Sequence, residues 1–253
     1  MLRDAVHVVS IDTDVVDRGS AIERVSRAVG DGSGGYVCVS TVHMVIEAND
    51  DPAFAETVNA SLMTVPDGMP LLWMQKLLGR RDAARVRGND LMTGLLEYAE
   101  TSGLSVGFYG GRPEVIEKIR ERTGRELARL RLVYAYSPPF SPTTDDKEIS
   151  ILDEIKAASP DILFVGLGCP KQEVWMAGHR DRLNCVMLGV GAAFDFYAGN
   201  LRECPGWISR LGLEWLFRLT QEPKRLWRRY LILNPRFVML AIFQLLRGRN
   251  SGR

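Results

Sequence analysis

Histidine and cysteine are scarce in this sequence, which has three His and four Cys among 253 residues. No two of the cysteines stand in a Cys-x-x-Cys pair, so the spacing typical of a zinc site or of a secreted disulfide framework is absent. We expect buried free thiols in a reducing cytoplasm, and neither a metal ion nor another cofactor. The four cysteines are Cys38, Cys169, Cys185 and Cys204.

If the protein binds a metal ion, the acidic pair Asp12 and Asp14 is the main candidate for the site. Paired aspartates at this spacing bind metal in many sugar transferases. Here they follow the first predicted strand and precede a helix, where aspartates more often serve in turns and helix caps. We therefore expect no metal site at this pair.

Long apolar runs are also missing. The longest one near the C-terminus covers residues 237–243, whereas a transmembrane helix needs about 20 apolar residues. The first residues, with the sequence MLRD, do not form the apolar stretch of a signal peptide. The sequence thus predicts a cytoplasmic protein that lies on the inner face of a membrane without crossing it.

Charge is unevenly distributed along the chain, although the formal net charge is only +1. Residues 202–253 contain 11 Lys and Arg against 3 Asp and Glu, while residues 1–201 contain 21 against 28. A basic tail favours an anionic partner such as phosphate, acidic lipid or nucleic acid. Because the acidic body would repel DNA, we expect an anionic membrane surface as the partner and no nucleic acid.

Short apolar runs alternate with segments of helical periodicity along the first 200 residues. Predicted strands cover residues 7–11, 36–40, 62–65, 105–109, 130–136, 162–166 and 186–190. Predicted helices cover residues 21–29, 42–48, 52–60, 70–78, 90–101, 113–127, 146–158 and 171–182. This alternation predicts an α/β, Rossmann-like fold with a largely parallel sheet flanked by helices. Ligands of such sheets bind at the carboxyl ends of the strands.

The pattern changes near residue 202, where strand patterns stop. Residues 207–221, 224–231 and 235–246 have helical periodicity, with breaks predicted at Pro223 and at Asn234-Pro235. We therefore divide the chain into an α/β catalytic core, residues 1–201, and a basic amphipathic helical appendage, residues 202–253. Aromatic and aliphatic residues beside arginines suit either a helix at a membrane interface or a helix packed on the core with a solvated basic face.

Polar residues follow the ends of two successive predicted strands. Asp67 lies in the motif VPDG, where a carboxylate is well placed to accept a proton from an attacking sugar hydroxyl. Thr41 and His43 open the helix after the preceding strand, where a hydroxyl and an imidazole can donate to phosphate or sugar oxygens. Roles as helix caps, turn residues or a half-buried histidine explain the same residues equally well.

Glycine-rich segments end three predicted strands: YGGR at 109–112, GLGCPKQE at 166–173 and GVGAAFD at 189–195. Glycine lets backbone N–H groups approach an anion closely, and the N-terminus of a following helix favours negative charge. Together the segments favour a cradle for a nucleotide diphosphate, although none is a complete P-loop or dinucleotide fingerprint. The candidate contact residues are Gly110, Gly111, Lys171, Gly191 and Asp195.

Two further segments belong to the predicted site. Arg85 stands just before a predicted helix, where an arginine can neutralise the charge on a departing diphosphate, although a solvated loop arginine has the same pattern. The proline-rich residues 137–146 are predicted to form a loop that covers the site.

In order and composition, these motifs resemble the WecG/TagA/CpsF family of bacterial glycosyltransferases, glycosyltransferase family 26, over residues 37–236. The shared segments are VPDGMP, RVRGNDLM, FYGGRPEV, DILFVGLGCPKQEVWMAGHRDRL, GVGAAFDFYAG and LGLEWLFRLTQEPKRLWRRYLILNPRF. The resemblance implies inverting transfer of a sugar from a UDP-sugar to a polyprenyl-diphosphate-linked saccharide, without a required metal. Products of such enzymes are exopolysaccharide, teichoic acid linkers and common antigen.

The resemblance also implies roles for single residues. Asp67 falls on the proposed general base, and Thr41 and Gln172 on positions implicated in catalysis or donor contact. The appendage is implied to dock on the membrane and close over the active site. Arginines implied to bind the diphosphate are Arg85 in the core and Arg218, Arg225 and Arg228 in the appendage.

The chain departs from the family pattern at three places in these motifs. His43 stands where relatives often have asparagine, so contacts to the sugar are expected to differ there. Cys169 and Ala192 replace the alanine and glycine that relatives commonly have beside the glycine-rich loops.

Two other functions stay open on the residues alone: an α/β sugar-nucleotide epimerase or dehydrogenase, and a non-catalytic peripheral membrane adaptor. The absence of G-x-G-x-x-G after the first strand disfavours the former. A membrane adaptor would leave the three glycine-rich strand ends without a function, which disfavours that alternative. The sequence does not name the sugar, and a homo-oligomer is compatible with it without being required.

Overall fold

The chain begins with a hairpin where the sequence predicts a single strand at residues 7–11. In this computed structural model, which describes residues 3–139 and 145–250, β1 (Ala5–Val8) pairs antiparallel with β2 (Ile11–Asp14). The single strand is therefore wrong, because the chain reverses at Val9, which has a φ of 62°. Valine is not among the usual turn residues, so the pattern gave no sign of the reversal.

A six-stranded parallel sheet forms the centre of the molecule. Its strands are β3 (Gly35–Ser40), β4 (Met63–Pro66), β5 (Ser105–Gly110), β6 (Arg131–Tyr136), β7 (Ile162–Gly166) and β8 (Val186–Gly189). They lie in the order β4-β3-β8-β7-β5-β6. The predicted fold class, α/β with a parallel sheet, is confirmed.

Helices follow the strands on both sides of the sheet. They are α1 (Arg18–Gly30), α2 (Val42–Asp50), α3 (Pro52–Asn59), α4 (Met69–Leu77), α5 (Gly88–Ser102), α6 (Pro113–Glu126), α7 (Asp145–Ala158), α8 (Lys171–His179) and α9 (Ala193–Tyr197). Local sequence explains several starts: Asp17 caps α1 through the N–H of Ser20, and Pro113 occupies the first turn of α6. The predicted helices are confirmed with end shifts of a few residues, and α9 was not predicted.

The core has two layers because successive side chains of each strand point to opposite faces of the sheet. Along β3, Val37 and Val39 pack into one cluster, together with residues of α1, α5 and α6. Tyr36 and Cys38 pack into the other cluster, together with residues of α2, α3, α7 and α8. Each fully buried aliphatic side chain contributes about 1.5–3 kcal/mol to the free energy of unfolding. The two packed layers therefore hold the strand ends in place at one edge of the sheet.

The appendage is helical throughout most of its length. Its elements are α10 (Gly206–Arg210), α11 (Glu214–Gln221), α12 (Pro223–Arg228), a π-helical turn (Arg229–Leu233) and α13 (Asn234–Asn250). The single helix predicted over residues 207–221 is wrong, because Gly212 adopts a φ of 74° and separates α10 from α11.

The break predicted at Asn234-Pro235 is also wrong. Pro235 is the second residue of α13, where the lack of an N–H is tolerated, and the π-helical turn joins α12 to α13. The resulting helical span, Pro223–Arg247, has 25 residues and is long and apolar enough to cross a membrane by length and composition. The expectation that no stretch is long enough rested on the short apolar run at residues 237–243, and the longer helical span does not agree with it.

One side of α13 lies against the body of the protein. Phe237 and Ala241 are buried there, Arg236 forms an ion pair with Asp50 of α2, and Gln244 donates to the carbonyl of His7 at 2.7 Å. The span therefore rests on the core along one side.

Candidate active site

A cavity of about 770 Å³ lies at the carboxyl ends of β3, β4, β5, β7 and β8. Loops that follow these strands form one wall, and the appendage forms another through Glu214, Arg218, Arg225 and Arg229. This edge of a parallel sheet is where ligands of such folds bind, and the volume suits a ligand of nucleotide size.

Most of the predicted contact residues meet at this cavity. Those lining it are Thr41, His43, Asp67, Gly111, Lys171, Gln172, Gly191, Asp195, Arg218 and Arg225. Gly110 immediately precedes the lining, Arg85 lines an adjoining pocket, and Arg228 lines neither space. The predicted covering loop reaches the cavity with Pro138 and Pro139, and its residues 140–144 lie outside the described residues.

The adjoining pocket, of about 100 Å³, shares six lining residues with the main cavity: Thr41, His43, Asp67, Glu214, Arg218 and Arg229. Several of its other lining residues are apolar: Met69, Pro70, Trp215 and Tyr230. Asp67 therefore stands where a large cavity meets a smaller, more apolar pocket.

Backbone hydrogen bonds fix the turn that carries Asp67. Its N–H donates to the carbonyl of Ser40 at 2.9 Å, and the N–H of Val86 donates to the carbonyl of Pro66 at 2.9 Å. The Asp67 side chain is 24% exposed. Burial raises the pKa of this carboxyl, the guanidinium of Arg85 opposes the rise, and the carboxylate of Glu214 adds to it. A carboxylate with a raised pKa is a stronger base.

Arginines and a glutamate surround Asp67. Arg85 donates through Nε to the main-chain carbonyl of Asp67, and its Nη2 lies 3.5 Å from Asp67 Oδ1 and 2.9 Å from Glu214 Oε2. Arg87 lies 3.7 Å from Glu214 Oε1. Burial alone would raise the pKa of Glu214, but Arg85 and Arg87 outweigh it and hold the pKa below its usual value. Glu214 is therefore ionised at neutral pH.

Gln172 is buried at the start of α8 and held at both ends of its amide. Its Oε1 accepts from the N–H of Gly168 at 3.1 Å, and its Nε2 donates to Glu173 Oε1 at 2.7 Å. Glu173 is completely buried, and its Oε2 has no hydrogen-bond partner among the residues that the structure describes. Burial raises the pKa of Glu173 to about 7, against the hydrogen bond from Gln172.

Thr41 and His43 both present polar groups to the cavity. Thr41 stands at the N-cap position of α2, but its hydroxyl makes no capping hydrogen bond. His43 Nε2 lies 3.2 Å from Glu47 Oε1, and Nδ1 is buried without a partner within the described chain. Burial, reinforced by Arg229, lowers the pKa of His43 to about 4. The imidazole is therefore neutral at pH 7, with one ring nitrogen able to accept from a ligand hydroxyl.

The glycine loops serve close packing more than anion contact. A side chain at Gly110, which has a φ of 116°, would lie 2.6 Å from the backbone of Gly166. The N–H of Gly111 donates to the carbonyl of Gly166 at 2.9 Å. These loops shape the cavity, whereas the N–H groups of Gly111 and Gly168 are already bonded within the protein.

Polar residues on the far side of the cavity are partly paired. Asp195 lies 3.2 Å from Arg112 and accepts from Asn200 at 3.3 Å. Lys171 is exposed at the start of α8. Asp195 and Lys171 both line the cavity, where they can contact a bound ligand.

Arginines of the appendage add positive charge to the cavity. Arg218 lies over the ring of Phe196, 5.4 Å from its centroid, and its Nε is buried without a hydrogen-bond partner in the described part of the chain. Arg225 pairs with Glu222 at 2.6 Å. Arg228 lies over its neighbour Trp227 instead, and Arg229 occupies the cavity wall. Successive residues of a helix point roughly 100° apart, which explains why Arg229 faces the cavity and Arg228 does not.

The aspartates at positions 12 and 14 have structural partners. Asp14 is fully buried and lies 2.8 Å from both Arg3 and Arg24, while Asp12 pairs with His7 at 2.8 Å. Within residues 3–139 and 145–250, no group of three or more His, Cys, Asp or Glu is arranged to hold a metal ion.

Sequence reasoning missed three functional candidates: Glu173, Glu214 and Arg229. Glu173 and Glu214 lie inside motifs that carry the family resemblance, PKQE and LGLEW. Their spacing gave no sign that one contacts Gln172 and the other reaches Arg85 from a distant part of the chain. Arg229 differs from Arg228 only in its position around the helix.

Comparison with known proteins identifies the family of the chain. A sequence model of the glycosyl transferase WecG/TagA/CpsF family matches residues 6–251. An N-acetylglucosaminyldiphosphoundecaprenol N-acetyl-beta-D-mannosaminyltransferase of Bacillus spizizenii is 31% identical over 210 residues, covering 83% of this chain and 79% of the relative. A protein of the same name from Bacillus subtilis is 29% identical over 207 residues, covering 81% and 78%. The chain thus belongs to the WecG/TagA/CpsF family and is a glycosyltransferase.

Proposed function

We propose that this protein transfers a sugar from a UDP-sugar to a saccharide carried on polyprenyl diphosphate, with inversion at the anomeric carbon. The observation that carries the proposal is the position of Asp67 at the junction of a large cavity and a smaller, more apolar pocket, both of them bordered by Arg218 and Arg229. Its relatives are named for an acceptor of this kind, an N-acetylglucosaminyl diphosphoundecaprenol. The larger cavity would hold the nucleotide donor.

The reaction follows from the charges around Asp67. The carboxylate accepts the proton of the acceptor hydroxyl as that oxygen attacks the anomeric carbon from the face opposite UDP. The bond between the anomeric carbon and the diphosphate oxygen breaks, and its electron pair leaves with UDP. Arg218 and Arg229 stabilise the negative charge that grows on this diphosphate. Since these cations do the work of charge neutralisation, the proposal includes no metal ion.

Gln172 and His43 would fix the donor sugar. The amide of Gln172 is immobilised by Gly168 and Glu173, and His43 presents a neutral ring nitrogen. The relatives are named for N-acetylmannosamine transfer. Because contacts to the sugar are expected to differ at His43, N-acetylmannosamine is one candidate among several donor sugars. A panel of UDP-sugars decides among them.

A membrane surface would deliver the acceptor. Large apolar side chains are exposed on the appendage and on the neighbouring α4: Trp73, Leu77, Trp207, Leu211, Leu216, Trp227, Leu231, Ile232, Val238, Met239, Ile242, Phe243 and Leu246. Exposed apolar residues beside basic ones are typical of proteins that bind at a membrane interface. We infer peripheral association with the cytoplasmic face, with the apolar pocket beside Asp67 turned towards the acceptor.

The test is release of UDP from a panel of UDP-sugars, in EDTA, with lipid-linked acceptor extracted from a bacterium. We expect release to depend on the acceptor and Asp67→Asn to lower kcat by about 100-fold to 10,000-fold with little change in KM, since only the base is lost. Asp181→Asn, a change at an exposed aspartate, is the control.

Three outcomes would contradict the proposal. Near-normal turnover of Asp67→Asn would show that Asp67 is not the base. Loss of wild-type turnover in EDTA would show that a metal is needed. Conversion of the UDP-sugar without release of UDP would identify an epimerase instead.

A further inference from the structure

Glu214 links the appendage to the residues around Asp67, the proposed general base in the core. It is the first residue of α11, its side chain is 14% exposed, and it lines both the main cavity and the adjoining pocket. Its carboxylate accepts from Arg85 at 2.9 Å and from the hydroxyl of Ser209 at 3.1 Å. A carboxylate of the appendage is thus placed in the same cluster as Asp67.

Arg85 divides its hydrogen bonds unequally between two carboxylates. Its Nη2 lies 2.9 Å from Glu214 but 3.5 Å from the Asp67 carboxylate, and its Nη1 donates to Ser209 at 3.1 Å. Its Nε donates to the Asp67 main-chain carbonyl, away from the carboxylate. The guanidinium therefore fixes the Asp67 turn while its stronger side-chain ion pair is with Glu214.

We propose that Glu214 is a positioning residue for the base, because it holds the Arg85 guanidinium away from the Asp67 carboxylate and leaves that carboxylate able to accept a proton. Without Glu214, Arg85 would be free to shorten its 3.5 Å contact with the Asp67 carboxylate, and a more closely paired carboxylate is a weaker base. This inference rests on the proposed function of Asp67.

The charges around both carboxylates agree with this role. Asp67 is influenced by Arg85, Arg87, Arg218 and Glu214, and Glu214 is influenced by Arg85 and Arg87 and bonded by Ser209. Among these groups Glu214 is the anion that opposes the arginines at Asp67. The two carboxylates share one nitrogen of Arg85, at 3.5 and 2.9 Å, so their mutual repulsion acts over a short distance.

The arrangement makes the base depend on the appendage. Both Glu214 and Ser209 come from the appendage, whereas Asp67 and Arg85 come from the core. When the appendage is in place, Arg85 is engaged by Glu214 and Asp67 is basic. When it is displaced, Arg85 is left to pair with Asp67, so the base is fully active only with the appendage docked.

The experiment is the pH dependence of kcat/KM for acceptor-dependent UDP release. We expect Glu214→Gln to move the acid limb to lower pH by roughly 0.5–2 units, since loss of an anion at this distance lowers the pKa of Asp67. The plateau falls because the base is weaker. Glu203→Gln is the matched control: Glu203 belongs to the same appendage and pairs with Arg87 at 3.6 Å, with no contact to Arg85 in the described structure.

A second variant covers the case in which Glu214→Gln does not fold. Glu214→Asp keeps the charge but withdraws it from Arg85, and a smaller shift of the acid limb in the same direction is expected. An unshifted limb in the variants that fold, or an equal shift in Glu203→Gln, overturns the inference. The proposed function fails separately, when wild type releases no UDP or Asp67→Asn stays active.

Discussion

Glu173 is a buried acid that never touches the proposed reacting atoms but contacts Gln172, which does line the site. Its carboxyl is completely buried and accepts a hydrogen bond from the amide of Gln172. Burial outweighs that bond and raises the pKa of Glu173 to about 7. The protonated acid would still accept from Gln172 through Oε1, so neutrality does not disturb the amide.

The raised pKa predicts how stability changes with pH. The folded state binds a proton at Glu173 up to about pH 7, whereas the unfolded chain releases it near pH 4.3. Between these values the folded state holds more protons, so this residue lowers the free energy of unfolding as the pH rises. We expect Glu173→Gln to be more stable than wild type at pH 8 by about 2–4 kcal/mol, and nearly equal at pH 4.5.

Urea unfolding across this pH range measures the difference. Glu117→Gln, at an exposed position of α6, is the control and should follow wild type throughout. A stability difference for Glu173→Gln that is the same at every pH would show that titration of Glu173 is not its cause.

Strand ends of a parallel sheet converge at one edge, which is why the sequence predicts that Asp67 and Thr41 share a site. The family resemblance added Gln172, and all three residues line the cavity. Sequence reasoning did not find Glu214, because contact between Glu214 and Arg85 depends on how the appendage folds back over 129 residues of sequence. Partners of this kind follow from tertiary packing and leave no spacing in the sequence.

Helix α13 shows two different faces at the scale of a single element. Phe237 and Ala241 are buried against the body, while Met239, Ile242 and Phe243 are about half exposed. Residues three or four apart share one face of a helix, so the exposed residues form an apolar stripe that points away from the core. The buried face holds the helix, and the stripe is free for a lipid surface.

Substitutions on the two faces of α13 are predicted to have different effects. We expect the double change Ile242→Ser, Phe243→Ser to weaken binding to lipid vesicles tenfold or more with an unchanged Tm, since two apolar side chains no longer enter the membrane. Phe237→Ala should instead lower the free energy of unfolding by about 3–5 kcal/mol. Vesicle flotation and thermal unfolding measure the two effects, and a large loss of Tm in the double variant would place the stripe in the fold rather than at a membrane.

Element boundaries were predictable where local chemistry decides them and not where tertiary contacts do. Pro113 marks the start of α6 in the sequence as it does in the structure. The first helix was predicted from residue 21, whereas α1 begins at Arg18, directly after its cap Asp17. Pro235 looked like a break, yet the π-helical turn before it lets the helical span continue. Gly212 ends α10 although the periodicity of its neighbours runs through it.

For the whole molecule, the uneven charge adds a long-range attraction to the apolar stripe. Lys224 and Arg228 are exposed beside the exposed Trp227, on the appendage that carries the excess of basic residues. Each basic residue near an anionic leaflet contributes about 1 kcal/mol, and this attraction weakens with salt. The body, with its excess of acidic residues, would be repelled from the same leaflet and so face away from it.

The final prediction follows from this orientation. We expect Lys224→Gln, Arg228→Gln to weaken binding to vesicles containing anionic lipid by about tenfold to thirtyfold at low salt, and to have little effect on neutral vesicles. The double variant Arg129→Gln, Lys147→Gln removes the same charge from exposed sites on the body and should leave binding nearly unchanged. Equal losses in the two double variants would mean that net charge, and not the basic surface of the appendage, decides which side of the molecule meets the membrane.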